Sequence, residues 1–270
     1  MSTGTSRIEV EAGVSLSVQD LGSGRPIIAL AGIGMCHDVF DGLVRRLAPS
    51  RRVVCVDLRG TGASDKPLEG YTIERHAADL GVVLDALDLR DADLLGWSYG
   101  GQVAFRIALD HPERLRRLVL VGSNAVSASR TENYPFGLPA QRVLPSMIED
   151  EARDRIGARR RAIAAGFHVP PTTALLDWLA ALSIQMPSWA AVASYESYLC
   201  TDLSPRVGEL TVPVVQVVGA DDPVHSAEGA SWLQERLGSD LVTLPACGHY
   251  PMFEVPHRFE EAIDTVTSDG

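Results

Sequence analysis

Cysteine is scarce, positive charge is in the minority and long apolar runs are absent. Four cysteines in 270 residues (Cys36, Cys55, Cys200 and Cys247) are too few for a disulfide scaffold and lack the spacing of a zinc site. Cys55 lies in an apolar run and reads as a small core residue. Cys36 and Cys247 lie beside segments singled out below, but a nucleophilic role for either is not expected there. Lys and Arg number 24 against 35 Asp and Glu, giving a net charge of −11, which argues against a nucleic-acid partner. No apolar run approaches the ~20 residues of a membrane span. The stretch Met1–Arg7 lacks a signal peptide's apolar segment, so the cytoplasm is the expected compartment; a monomer or homodimer is expected. The histidines show no metal-ligand pattern, and no repeat or low-complexity tract occurs. With 46% hydrophobic residues, the chain can bury a sizeable core as one domain with an elaborated insert.

A strand and helix rhythm runs through most of the chain. Arg7–Leu21 reads as a hairpin turned near Ala12-Gly13, because residues such as Ser15-Leu16-Ser17-Val18 alternate. Ile27–Leu30, Val53–Val56 and Leu118–Val121 are continuous apolar runs, as parallel strands buried on both faces should be. Thr72–Leu87 reads as a helix with Ile73, Ala77, Leu80, Leu84 and Leu87 on one face. Between the strand-like Asp93-Leu94-Leu95 and the helical Gln102–Phe105 stands Gly96-Trp97-Ser98-Tyr99-Gly100. A serine in so tight a strand-to-helix turn needs small neighbours, and it projects where helix N–H groups favour negative charge. The same residues also fit a glycine-rich turn whose serine caps the helix.

A serine nucleophile needs a base, and the base needs an orienting carboxylate. Val214–Val218 reads as a strand ending in Gly219-Ala220-Asp221-Asp222-Pro223; Leu241–Leu244 reads as another, followed by Ala246-Cys247-Gly248-His249-Tyr250-Pro251. Both polar groups fall past the carboxyl ends of strands, where open α/β sheets place their sites. Taken in order, Leu30-Ala31-Gly32-Ile33-Gly34, Asp57-Leu58-Arg59-Gly60-Thr61-Gly62-Ala63-Ser64, the Ser98 turn and Gly248-His249 resemble four motifs of the α/β-hydrolase fold superfamily, over nearly the whole chain. The resemblance implies a mostly parallel eight-stranded sheet flanked by helices, with a helical cap inserted after the sixth strand. It implies Ser98 as nucleophile, His249 as base and Asp222 as acid, with Asp221 as competitor; the family's Gly-x-x-Asp spacing selects Asp222. The backbone N–H groups of Ile33 and Tyr99 are the implied oxyanion donors. Ala31 stands where the family often has histidine. No metal or organic cofactor is implied.

Residues 123–210 break the rhythm, separating core segments 1–122 and 211–270, and are expected to form the cap. Met147-Ile148, Ile156, Ile163 and Phe167 mark one apolar stripe and Leu175–Ile184 another; both are expected chiefly to pack. The arginines at 153, 155, 159, 160 and 161 alternate with acids and read as a solvated face, from which a single arginine could reach a substrate carboxylate. Tyr134, Phe136, Met186 and Trp189 sit in proline-containing loops and are expected to line the site, with Gly32, His37, Trp97 and Tyr250. Trp97 is equally suited to packing beneath the turn, and His37 suits a helix start. The expected substrate is a small apolar molecule carrying an ester or lactone. A carbon–carbon hydrolase, a cofactor-free perhydrolase, an eliminating or cyclising enzyme, and a receptor retaining the triad would all use the same residues.

Overall fold

The apolar runs become the middle of one sheet. The computed structural model describes residues 2–268, leaving Met1, at the head of the N-terminal stretch considered above, and Asp269 and Gly270 outside it. The strands are β1 (Ser2–Glu11), β2 (Val14–Gly22), β3 (Pro26–Leu30), β4 (Arg52–Val56), β5 (Ala92–Trp97), β6 (Leu115–Val121), β7 (Val214–Gly219) and β8 (Asp240–Leu244). They are ordered β1-β2-β4-β3-β5-β6-β7-β8. β1 and β2 form the antiparallel hairpin, β2 pairs antiparallel with β4, and every later pairing is parallel.

Side chains alternate across this sheet and so build two cores. Ile28, Leu30, Val54, Val56, Leu94 and Leu118 join the first core. It is covered by α2 (Ile73–Ala86) and α3 (Tyr99–Asp110), with Leu233 of α7 (Ala227–Leu237). Ile27, Ala29, Val53, Cys55, Leu95 and Val119 face the other way. There they meet α1 (Asp41–Leu47) and α9 (Pro256–Thr267), which follows the short α8 (Pro251–Glu254). The Thr72 hydroxyl accepts the Arg75 N–H and starts α2 where the sequence places it. Cys55 is fully buried among apolar neighbours.

Between β6 and β7 lie α4 (Ala140–Ala165), α5 (Thr173–Ser183) and α6 (Ser188–Cys200). The apolar stripe expected along α4 is interrupted: Ile163 is buried, but Ile156 is 57% exposed. Asp154 leaves helical geometry (φ −150°, ψ 60°). The kink rotates the residues beyond it relative to those before it, so one periodic stripe cannot run through both halves.

Candidate active site

The parallel strands all end at the same edge, and the endings of β4 to β8 lead into polar residues. Ser98 follows β5 with φ 55° and ψ −120°, a conformation costing a non-glycine residue about 1–3 kcal/mol. The neighbours permit it. A Cβ at Gly96 would strike the Gly100 carbonyl oxygen, and one at Gly100 would come 2.5 Å from the carbonyl oxygen of Leu30 in β3. The Ser98 N–H donates to Val121 O at 3.0 Å and Gly101 N–H donates to Ser98 O at 2.9 Å, holding the turn on both sides. The Ser98 side chain does not cap α3.

His249 follows β8 and Asp222 follows β7. His249 Nε2 lies 2.9 Å from Ser98 Oγ, and His249 Nδ1 lies 2.9 Å from Asp222 Oδ2. The other carboxylate oxygen, Asp222 Oδ1, accepts the N–H groups of Val224 (2.8 Å) and His225 (3.1 Å). Burial works to raise the Asp222 pKa. The adjacent His249, by charge and hydrogen bond, together with His225 and the Val224 N–H, outweighs it and holds the carboxyl below its usual value. Asp221 points elsewhere, with Oδ2 3.6 Å from His168 Nδ1. Of the two neighbouring aspartates, only Asp222 reaches His249.

The histidine loop is fastened to the insert. Glu254 Oε1 accepts the N–H groups of Gly248 (3.1 Å) and Tyr250 (3.0 Å), and Oε2 accepts that of His168 (2.7 Å). The His249 N–H donates to Gly166 O at the end of α4. Trp97 fulfils both roles suggested for it: it is 1% exposed, donates Nε1–H to His249 O at 2.9 Å, and lines the cavity above Ser98.

Gly32 and Ile33 lie in a turn after β3 closed by Met35 N–H to Gly32 O. Tyr99 occupies the first position of α3, where the backbone N–H has no carbonyl one turn back. With Ala31 in place of histidine, the turn is braced from its far end. Asp57, after β4, accepts both the backbone N–H (2.8 Å) and Nδ1–H (2.9 Å) of His37 on Oδ1 and the Ala63 N–H on Oδ2. His37 is thereby held away from the cavity, contrary to its expected place in the pocket.

The cavity above Ser98 measures about 260 Å³. Of the expected lining residues, Gly32, Trp97 and Tyr250 are there, with the expected oxyanion donor Ile33 beside them; the four aromatic and sulfur residues of the insert are not. Trp189 is 48% exposed and donates Nε1–H to Pro67 O at 3.0 Å, which fixes α6 to the loop after β4. Tyr134 stacks edge-on with Phe136 and Trp232, so both loop aromatics face a separate cavity behind Asp222. Met186 packs with Tyr71 and Ala190 beside a small space next to Tyr99. A proline context identified these residues as loop-borne but did not give the direction in which they point.

Their places are taken by Arg159 from the arginine cluster and by residues the sequence patterns did not single out, chiefly Tyr195, Tyr198, Ala162 and Val224. Tyr195 and Tyr198 are three apart on α6, a spacing that marks a shared face. Arg159 is the inward arginine of its cluster, only 4% exposed. It pairs with Glu151 (2.6 and 3.0 Å), a carboxylate that Arg155 shares at 3.4 Å, and Nη1 donates to the carbonyls of Ser183 and Met186. Arg160 and Arg161 stay outside, on Asp177 and Asp154. Among the described residues, Cys36, His37 and Asp38 are the group of side chains close enough to share a metal ion. His37 Nδ1 is committed to Asp57, and the group lies outside the Ser98 cavity. Burial pushes the Cys36 and Cys247 thiols up to about 12, which suits neither to act as a thiolate nucleophile. No helix among the described residues is long and apolar enough to cross a membrane.

The profile of the alpha/beta hydrolase fold family matches residues 25–256. The chain is 33% identical to a pimeloyl-[acyl-carrier protein] methyl ester esterase of Nitrosomonas europaea over 93% of this chain and 99% of that protein. It is 39% identical to a 2-hydroxymuconate semialdehyde hydrolase of Pseudomonas sp. (strain CF600), over 94% and 90%. An esterase structure from Exiguobacterium antarcticum superposes with a TM-score of 0.93 at 28% identity, covering 97% of this chain and 98% of the other.

Proposed function

Since the chain belongs to the alpha/beta hydrolase fold family, we propose that it is a serine hydrolase cleaving the ester or lactone bond of a small, largely apolar molecule. The observation that carries this reading is the continuous hydrogen-bonded chain Asp222–His249–Ser98 opening on the cavity. In this mechanism His249 Nε2 takes the Ser98 proton as Oγ attacks the carbonyl carbon. Asp222, kept ionised, holds the imidazole in the required tautomer and stabilises its cation. The Ile33 and Tyr99 backbone N–H groups receive the oxyanion, each worth about 3 kcal/mol in the transition state. His249 returns its proton to the leaving oxygen. It then deprotonates a water that frees the acyl group. The inserted helices act as the cap, closing the cavity from the side opposite the sheet.

Two features favour a neutral substrate. Most of the cavity wall is apolar or aromatic, the usual form of a small-molecule site. Arg159, the one arginine in that wall among the described residues, directs its guanidinium to Glu151 and to the carbonyls of Ser183 and Met186 rather than leaving it open to a carboxylate. Carbon–carbon cleavage, the activity named for the Pseudomonas relative, is the second reading and would use the same Ser98 and His249.

The deciding experiment compares wild type with Ser98→Ala on p-nitrophenyl esters of increasing acyl length. Wild type is expected to turn over the shorter chains, and Ser98→Ala to lose about 10⁴-fold or more in kcat. Equal activity in the two proteins overturns the serine mechanism. A folded wild type inert to every ester, but cleaving a vinylogous carbon–carbon substrate, moves the assignment to the second reading.

A further inference from the structure

Beside the Asp222–His249–Ser98 chain runs a second one that the mechanism above does not use. Tyr198, on α6, lines the Ser98 cavity, and its hydroxyl approaches that of Ser98. The same hydroxyl lies 3.0 Å from His225 Nε2. His225 is 9% exposed, and its ring centroid stands 5.3 Å from that of His249. Its backbone N–H donates to Asp222 Oδ1, so the ring is positioned by the carboxylate that also positions His249. Tyr198 is steadied further by an edge-on contact with Tyr99, 5.3 Å between centroids.

The placement defines a side. β5, which delivers Ser98, is flanked by β3 on one side and by β6 and then β7 on the other. The oxyanion turn follows β3; Asp222 and His225 follow β7. A carbonyl oxygen directed toward Ile33 and Tyr99 N–H leaves the alcohol portion of an ester on the His249 side, because His249 must protonate it. Tyr198 and His225 stand on that side.

We propose that the Tyr198 hydroxyl is a further catalytic group, donating a hydrogen bond to the leaving-group oxygen, and that the natural substrates are accordingly esters or lactones of weakly acidic aliphatic alcohols. The inference rests on the serine-hydrolase reading above. In the free enzyme the hydroxyl faces Ser98 Oγ. As the tetrahedral intermediate collapses, the carbon–oxygen bond to the alcohol breaks and the departing oxygen takes up its electron pair. The proton it receives comes from His249 Nε2. Tyr198 keeps its own proton and stabilises the charge that builds before that transfer is complete. Burial raises the Tyr198 pKa, so the hydroxyl retains this proton. His225 is the positioning residue: in its Nε2–H tautomer it donates to Tyr198 Oη and leaves the phenol hydrogen free to turn toward substrate. Burial, with the neighbouring His249 charge, lowers its pKa to about 4 and keeps the ring neutral.

An aliphatic alkoxide needs this help, whereas p-nitrophenolate departs readily without it. The test therefore compares ethyl butyrate, followed by pH-stat, with p-nitrophenyl butyrate, using kcat/KM to report acylation by the same acyl group. Tyr198→Phe is expected to lose about 30-fold on the ethyl ester and less than about 3-fold on the p-nitrophenyl ester, with KM for each within about twofold of wild type. An equal loss on both esters, or no loss on either, overturns the proposal, since a structural role would not sort substrates by leaving group. Should Tyr198→Phe fail to fold, His225→Gln carries the same comparison. It is expected to lose about 5-fold on the ethyl ester alone, and a uniform loss or none overturns the proposal. Ser98→Ala is measured alongside. Retained activity in that variant removes both readings, whereas Ser98-dependent hydrolysis with no leaving-group selectivity at Tyr198 removes this one alone.

Discussion

The strand-end loops and the inserted helices both face Ser98, yet they are built on different terms. Each loop at the sheet edge has a backbone that admits few residues. Ser98 sits at φ 55° with close approaches behind Gly96 and Gly100. Asp57 collects three donors and Asp222 collects two N–H groups plus an imidazole. Alter one and a specific bond is lost. The inserted helices are held by side-chain packing and by polar ties such as Glu151–Arg159 and Trp189–Pro67. Many sequences could satisfy those demands with the same backbone. Chemistry is therefore fixed by the sheet, while pocket shape rests with an insert freer to vary.

The sharpest way to break this comparison is to exchange the two aspartates of one loop. Asp222→Asn keeps the shape but cannot hold His249 in the right tautomer, and should lower kcat by about 10³–10⁴-fold. Asp221→Asn, whose side chain faces His168, should remain within about threefold. Steady-state kinetics on one p-nitrophenyl ester measures both. A reversed ranking would mean that strand-end geometry does not select the acid.

The same contrast explains what could be read in advance. The hairpin, the parallel strands, α2 and the polar groups around Ser98 were legible because each leaves a local mark: alternation, a continuous apolar run, an apolar stripe at helical spacing, or a polar residue beside glycine past a strand end. Trp189, Tyr134, Phe136, Met186 and His37 were misplaced because their direction depends on partners distant in sequence: Pro67, Trp232, Tyr71 and Asp57. Arg159 was indistinguishable from Arg160 and Arg161 until the kink at Asp154 set the phase of α4. Tyr198 carried a faint signal, its spacing from Tyr195, but nothing local tied that face of α6 to Ser98.

A smaller effect probes the seam between the two regions. His76, on α2, is 1% exposed beneath a small space shared with Met186 and Ser194 of the insert. Among the described residues, neither of its ring nitrogens finds a hydrogen-bond partner. Burial, helped by the Arg59 and Arg75 charges, lowers its pKa to about 3. Below an unfolded value of about 6.5, the unfolded chain takes up a proton that the folded protein refuses. Stability is therefore unaffected by this group above that pH, and falls by about 1.4 kcal/mol per pH unit as pH drops toward 3. His225, with its pKa lowered to about 4, adds a second loss of the same sign. Urea unfolding of His76→Leu at pH 7 and pH 5 should show a pH-dependent loss smaller than wild type by about 1–2 kcal/mol. An unchanged slope would show that His76 gains its proton in the folded state, through hydration of the seam.

The smallest expected effect makes the finest distinction within the insert. Trp189 and Tyr198 share α6 and lie nine residues apart. At about 100° per residue they project half a turn out of phase. That phase alone accounts for one meeting Pro67 at the surface and the other meeting His225 inside. Trp189→Ala should accordingly leave kcat/KM within about twofold on esters of any leaving group, with only a modest fall in thermal midpoint from the lost contact to Pro67. Kinetics at 25 °C and a thermal melt check both halves. A loss of activity comparable to that expected for Tyr198→Phe would show that α6 transmits its surface anchorage to the cavity. The insert would then share the sheet edge's intolerance of change, and the division between the two regions would fail at the helix chosen to represent it.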